Sequence, residues 1–69
     1  MKALIISGAY IRLCDALKLV GAAETGGMAK MRIINGEVMV NGSICSVKGK
    51  KLYPGDRFSL QEEEFVIEP

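Results

Sequence analysis

The side chains of this 69-residue sequence that could do chemistry are mainly basic, and they are unevenly spread. All nine lysines and arginines lie between Lys2 and Arg57, whereas four of the eight acidic residues fall within the last eight positions. Residues 1–61 therefore carry nine positive and four negative charges, a net of +5, although the whole chain carries only +1. A locally basic surface of this kind is suited to binding the phosphates of a polyanion.

Two adjacent glycines follow a hydroxyl residue in the stretch ETGGMAKMRI, residues 24–33. The spacing rules out a Walker-type nucleotide loop, which needs two glycines separated by four residues and followed by Lys and Ser or Thr. Thr25 is a good helix N-cap, and free N–H groups at a helix start attract a phosphate, which Gly26 and Gly27 would allow to approach closely. A purely structural turn between two helices is the alternative, and these residues alone do not separate the two.

Basic residues elsewhere favour the anion site. The candidate contacts outside the glycine turn are Arg12, Lys30, Lys48, Lys50 and Lys51. Lys30 and Arg32 would lie about 200° apart on a helix, so only one of them can face a ligand at the glycines, and Lys30 is the closer. Arg32 and Lys18 are either solvated surface charges or further RNA contacts, and the sequence does not separate the two interpretations.

Catalytic and metal-binding chemistry finds little support in the composition. The chain has no histidine, and its two cysteines, Cys14 and Cys45, form no CxxC pair. No serine or cysteine has an obvious base partner, and Asp15 and Asp56 are explained as a helix-surface residue and a turn residue. We therefore expect a protein that is not an enzyme and that holds no metal or other cofactor.

Exposed aromatic side chains are scarce. Tyr10 and Tyr53 are the only candidates, because Phe58 and Phe65 fall at core positions of predicted strands. Proteins that bind single strands without sequence preference stack successive bases on aromatic rings, so the composition argues against such a protein. Contacts to the backbone and shape of a folded RNA fit better.

Periodicity predicts two short helices after a first strand over residues 2–7. Apolar residues at i, i+3, i+4 and i+7 predict a helix over residues 13–20, with Gly21 as its stop. A second helix is expected to start at Thr25 and to end at Gly36. The two helices would form a pair like that of a helix-turn-helix.

From residue 37 onward the apolar pattern has a period of two, which predicts strands. Asn41-Gly42 predicts a type I′ hairpin turn that pairs Val40 with Ser43. The residues that this pairing places on one face, toward the core, are Val38, Val40, Cys45 and Val47.

Further turns complete the predicted fold. Pro54-Gly55 fits the middle of a type II turn, and strands are expected over residues 57–60 and 64–67. The fold class is therefore α+β, with two short helices packed on a small, mostly antiparallel sheet of four to five strands. We expect residues 1–69 to form a single domain with a thin core, since a chain of this length buries only about 60% of its unfolded surface.

The N-terminal apolar run, residues 3–6, is far shorter than the apolar part of a signal peptide or a membrane span. Together with the absence of a cysteine framework, this indicates the reducing cytoplasm as the compartment.

The stretch IRLCDALKLVGAAETGGMAKMRIINGEVMVNG, residues 11–42, resembles the S-four-type domain, an RNA-binding domain first known in ribosomal small-subunit protein four. The matching positions are Arg12, Leu13, Leu17, Gly21, Ala29, Ile33, Gly36, Val38, Val40, Asn41 and Gly42. The resemblance covers about residues 11–60, and the segments TGGMAK and GKKLYPGD look like those of the small stand-alone bacterial members.

The resemblance implies an RNA-binding module in which the two helices and the following hairpin form a bent, L-shaped motif. Two positions depart from the family pattern: Cys14 stands in place of the usual Asp, and Gly26 stands in place of the usual Arg. The RNA-binding residues expected from charge and resemblance together are Arg12, Thr25, Gly26, Gly27, Lys30, Lys48, Lys50 and Lys51. The implied partner is structured RNA, ribosomal or transfer RNA, bound by a monomer without a membrane or a small-molecule substrate.

A protein-interaction module is the alternative function. In that case Met28, Met31 and Met39 would form an adaptable apolar surface for a protein partner. Methionines at helical spacing more often belong to a core, so the sequence favours RNA binding.

Overall fold

The computed structural model describes all 69 residues, which form two helices and seven strands. The elements in chain order are β1 (Lys2–Ile5), β2 (Ile11–Arg12), α1 (Leu13–Leu19), α2 (Gly26–Ile34), β3 (Met39–Val40), β4 (Ser43–Ile44), β5 (Lys51–Leu52), β6 (Arg57–Leu60) and β7 (Glu63–Glu68). Neither helix has the length and apolar character needed to cross a membrane.

Five of the strands form one sheet in the order β1-β7-β6-β3-β4. All neighbours are antiparallel except β1 and β7, the first and last strands, which run parallel with Lys2 beside Phe65. The predicted α+β fold with a mostly antiparallel sheet is confirmed. A second sheet of two strands, β2 and β5, was not expected from the sequence.

The core lies between one face of the large sheet and the two helices. Side chains alternate along β6 and β7, so that Phe58, Leu60, Phe65 and Ile67 are buried while their neighbours face outward. The rings of Phe58 and Phe65 lie 4.9 Å apart, centroid to centroid, as expected for core phenylalanines.

Both predicted helices are present with nearly the predicted bounds. Helix α1 buries Leu13, Ala16 and Leu17 completely. It ends at Leu19, followed by Gly21 at φ +77°, a conformation that glycine adopts at little cost. Helix α2 begins after Thr25, whose Oγ1 accepts a hydrogen bond from the Met28 N–H at 3.1 Å, which confirms the predicted N-cap.

The predicted hairpin is also confirmed, with one error at its far end. Asn41 and Gly42 both have positive φ, 51° and 88°, and Val40 pairs with Ser43 as expected. Val47 was predicted to face the core but is 60% exposed. The alternation fails because β4 ends at Ile44, after which the chain leaves the sheet and crosses toward the start of α1.

Candidate nucleic-acid interface

The small sheet of β2 and β5 decides where the basic residues lie. Ile11 pairs with Leu52 and Arg12 with Lys51 in an antiparallel register. Because neighbouring residues of a strand point to opposite faces, the apolar pair faces the core, where Leu52 is fully buried and Ile11 is partly buried. Arg12 and Lys51 are exposed on the other face.

The same register places Tyr10 opposite Tyr53, one step beyond the two paired positions. The two ring centroids are 5.7 Å apart with the planes tilted by 47°. Lys51 Nζ lies 4.8 Å from the centroid of the Tyr10 ring, and Arg12 Cζ lies 5.8 Å from it, both within cation–π range. We call Tyr10, Arg12, Lys51 and Tyr53 the ribbon face.

Lys48 and Lys50 are held beside Arg12 by backbone hydrogen bonds to the start of α1. The Leu13 N–H donates to the Lys50 carbonyl oxygen at 2.8 Å, and the Cys14 N–H donates to that of Lys48 at 3.3 Å. Arg12 Nη1 donates to the Gly49 carbonyl oxygen at 3.2 Å. Since α1 has no side-chain N-cap, these carbonyls satisfy its first N–H groups, and the Lys48 and Lys50 side chains stay exposed beside the ribbon face.

Ion pairing divides the nine cations into two groups. Three have carboxylate partners: Lys2 with Glu63 at 2.8 Å, Lys18 with Asp15 at 3.6 Å and Arg32 with Glu37 at 2.8 Å. The six cations that form no ion pair are Arg12, Lys30, Lys48, Lys50, Lys51 and Arg57. All five basic side chains predicted as RNA contacts are in the second group.

The start of α2 offers backbone donors. The N–H groups of Gly26 and Gly27 have no acceptor within the helix, because a helical N–H bonds to the carbonyl four residues earlier, and no acceptor outside the helix takes them. A Cβ atom added at Gly26 would meet no heavy atom within 4 Å, and one at Gly27 would meet only Thr25 Oγ1, at 3.9 Å. Phosphate oxygens therefore have room to reach these donors.

The predicted residues belong to two different segments of the fold. No hydrogen bond or ion pair joins the ribbon face to the start of α2. Thr25 and Gly27 line a shallow depression with Met28, Met31 and Arg32, and Lys30 does not line it. The candidate interface includes two segments, the ribbon face with its flanking lysines and the start of α2.

The methionines are exposed, against the expectation that they belong to the core. Met28 is 46% exposed, Met31 is 56% exposed and Met39 is 39% exposed. The core face of α2 needs only Ala29 and Ile33, since the helix packs mainly against α1. Met39 lines a different depression, on the outward face of the large sheet, so the three methionines do not line a common surface.

No group of three or more His, Cys, Asp or Glu side chains is arranged to hold a metal ion. Cys14, the second residue of α1, is half-buried and packs against the core. This packing explains why an apolar side chain can stand here in place of the Asp that is usual in the family.

The fold and this pattern of residues match a known family. The model of the S4 domain matches residues 4–68, nearly the whole chain. The chain belongs to the S4 domain family. This confirms the resemblance found in the sequence and extends it over the first and last strands.

Two curated relatives share much of the chain. The Escherichia coli (strain K12) protein named "Putative RNA-binding protein YbcJ" is 40% identical over 51 residues, which cover 74% of this chain and 73% of that one. The Bacillus subtilis (strain 168) protein named "Probable ribosome maturation protein RlbA" is 44% identical over 51 residues, which cover 74% of this chain and 72% of that one.

A solved structure supports the fold assignment. The solution structure of YbcJ from E. coli, described as revealing an αL motif involved in RNA binding, has a TM-score of 0.74. The superposition covers 100% of this chain and 89% of that one at 30% sequence identity. The bent helix–helix–hairpin arrangement expected from the sequence is therefore the fold of this chain.

Proposed function

We infer that this chain is a non-enzymatic protein that binds the phosphate backbone of structured RNA. The observation that carries the inference is the set of unpaired cations. Five of the six cations without a carboxylate partner lie in three places: at the start of α1, in residues 48–51, which are hydrogen-bonded to that start, and on α2. Phosphate contacts from such side chains supply most of the sequence-independent affinity of a protein for a nucleic acid.

Each part of the interface has a separate role in this proposal. Arg12, Lys48, Lys50 and Lys51 neutralise phosphates on one side of the L-shaped motif. At the start of α2, one phosphate accepts from the N–H groups of Gly26 and Gly27. The Thr25 hydroxyl, whose oxygen already accepts from Met28, still has its own proton to donate to the same phosphate. Lys30, the cation of α2 that has no carboxylate partner, contacts a phosphate outside the depression that Thr25 and Gly27 line.

The relatives' names support this function and suggest where to look for the RNA. One relative is named as an RNA-binding protein and another as a ribosome maturation protein, so ribosomal RNA is the first candidate and transfer RNA the second. We place the protein in the bacterial cytoplasm and propose that it acts as a monomer, with residues 1–69 as one domain and the RNA-binding motif in about residues 11–60.

The test compares two triple variants of equal charge. Lys48/Lys50/Lys51→Ala removes three cations of the proposed interface, and Lys2/Lys18/Arg32→Ala removes three that have carboxylate partners. Both lower the net charge by three, and the α1-capping carbonyls are main-chain atoms, which the first variant keeps. Fluorescently labelled ribosomal and transfer RNA fragments are titrated with each protein at several salt concentrations.

We expect the first variant to bind more weakly and with a shallower salt dependence, by about 0.7–0.9 in log–log slope for each phosphate that is no longer neutralised. The second variant should remain close to wild type. Equal weakening in both variants would show that only net charge matters. No measurable binding at low salt would overturn the proposed function.

The protein-interaction alternative has less support. Met28 and Met31 are exposed on α2, but Met39 lies elsewhere, so the predicted apolar surface is not assembled. Such a module would leave the RNA titration without a signal, and the same experiment therefore separates the two functions.

A further inference from the structure

The ribbon face combines two exposed aromatic rings with two cations, a combination that phosphate binding alone does not need. Tyr10 is 38% exposed and Tyr53 is 48% exposed. They are the only tyrosines of the chain, and both lie on the same face as Arg12 and Lys51 because of the β2–β5 register. An aromatic ring beside cations is the combination with which proteins bind unpaired bases: the base stacks on the ring and the cations bind the adjoining phosphates.

The two rings are not equivalent. Both cations lie near the Tyr10 ring, Lys51 at 4.8 Å and Arg12 at 5.8 Å, and no cation lies over the Tyr53 ring. The Tyr10 ring therefore contacts both cations and the Tyr53 ring, while the more exposed Tyr53 ring has no cation over it and can accept a planar partner.

The backbone of Tyr53 is fixed before any ligand arrives. Its N–H donates to Asp56 Oδ2 at 2.8 Å, and its carbonyl oxygen accepts from the Asp56 N–H at 2.9 Å across the Pro54-Gly55 turn. Asn41 Nδ2 donates to Asp56 Oδ1 at 3.3 Å, which ties this turn to the β3–β4 hairpin. A ring carried on a backbone held in this way loses less conformational entropy when a base stacks on it than a ring on a mobile loop would.

We propose that Tyr53, supported by Tyr10, is a stacking site for a single unpaired RNA base, with Arg12 and Lys51 binding the phosphates on either side of that nucleotide. The proposal rests on the RNA-binding function and deepens it. One ring pair accommodates one nucleotide and not a track of successive bases, so the ligand is a structured RNA with a bulged or looped-out base. This agrees with the scarcity of aromatic residues elsewhere in the chain.

The experiment uses three RNA duplexes that differ at one position. The first carries a single bulged adenosine, the second has an abasic nucleotide at the bulge, and the third is fully paired. Binding is measured at low and moderate salt with the wild-type chain and with Tyr53→Leu and Tyr53→Phe. Tyr53→Leu removes the aromatic ring, whereas Tyr53→Phe keeps it and serves as the matched control.

The intrinsic tyrosine fluorescence of the chain reports on the proposed site. It has no tryptophan, and its two tyrosines both lie at the proposed site, so all tyrosine emission comes from this face. Stacking of a base on Tyr53 should quench that emission for the bulged duplex and leave it nearly unchanged for the fully paired duplex.

We expect the wild-type chain to prefer the bulged duplex over the abasic one by about 5- to 150-fold, the range for stacking of one base. Tyr53→Phe should keep the preference and Tyr53→Leu should lose it. Equal, salt-dependent affinity for all three duplexes would overturn the stacking site and leave the phosphate-binding function standing. Absence of binding to every duplex at low salt would overturn both.

Discussion

Arg12 and Lys51 lie directly opposite each other in the pairing of β2 with β5, and neither forms an ion pair with a carboxylate. Like charges at opposite positions of an antiparallel pair are destabilising. Their contact with the Tyr10 ring offsets part of this cost. A polyanion bound to this face would relieve the repulsion, so the arrangement favours binding over stability.

Reversing one of these charges should separate stability from function. Lys51→Glu places opposite charges across the strand pair, and we expect its free energy of unfolding to rise by about 0.2–1 kcal/mol, measured by urea denaturation. Affinity for structured RNA should fall, because a phosphate contact becomes a repulsion. Lys51→Gln, which only removes the charge, should lie between wild type and Lys51→Glu in both measurements. Unchanged RNA affinity in Lys51→Glu would place Lys51 outside the interface.

The glycines at the start of α2 can be tested by adding side chains. Gly26→Arg restores the residue usual in the family at a position where an added Cβ meets nothing within 4 Å, so RNA affinity should be kept or increased. Gly27→Val should weaken binding, because its branched side chain would stand beside the free N–H groups, where a phosphate approaches, although its Cβ makes only an ordinary contact with Thr25 Oγ1 at 3.9 Å. Filter binding with one labelled RNA measures both. An equal fall in affinity in the two variants would mean that the turn serves only the fold.

Thr25 has a capping role and a proposed RNA contact, and three substitutions distinguish them. Thr25→Ala should lower the free energy of unfolding by about 0.5–2 kcal/mol through loss of the N-cap. Thr25→Asp restores a good cap and suits the helix dipole, so stability should return, but its charge should repel the phosphate and weaken RNA binding. Thr25→Ser should retain both. Wild-type affinity in Thr25→Asp, measured beside thermal unfolding, would argue against a phosphate at this helix start.

The turn between β6 and β7 is strained, and Glu62 in it lines a depression with Lys2 and Glu63 that contains none of the predicted RNA contacts. Gln61 and Glu62 both adopt positive φ, 49° and 67°, a backbone conformation that residues other than glycine and asparagine rarely adopt. Glu62→Gly should therefore raise the free energy of unfolding by about 0.5–1 kcal/mol and leave RNA affinity nearly unchanged. Glu64→Gly removes the same charge from the adjoining strand and should destabilise the chain instead. Differential scanning calorimetry of Glu62→Gly and Glu64→Gly measures the unfolding of each variant against wild type.

Most of the local structure could be predicted because its causes are local. The 3.6-residue period of Leu13, Ala16 and Leu17 requires only one helix face to be apolar, and Thr25 caps the next helix through a bond to Met28, three residues away. Asn41-Gly42 specified the hairpin register because a type I′ turn needs positive φ at both positions. The prediction failed at Val47, where alternation was extended past the end of the strand.

The second sheet was missed although the sequence carries a sign of it. The triplets Tyr10-Ile11-Arg12 and Lys51-Leu52-Tyr53 are mirror images in residue type, so antiparallel pairing matches tyrosine with tyrosine and cation with cation. Strands of two residues have almost no intrinsic stability, and a pattern of three residues is too short to predict one. Burial of Leu52 against the core is what holds them together.

The sequence by itself therefore determined the two helices, the five strands of the large sheet, the family and the residue types of the interface, because periodicity, capping and turn chemistry depend on neighbouring residues. Only the tertiary structure decided that Arg12 lies beside Lys51 and beside the segment that carries Lys48 and Lys50. Those contacts join residues more than thirty positions apart, and they form only once the core brings β2 and β5 together.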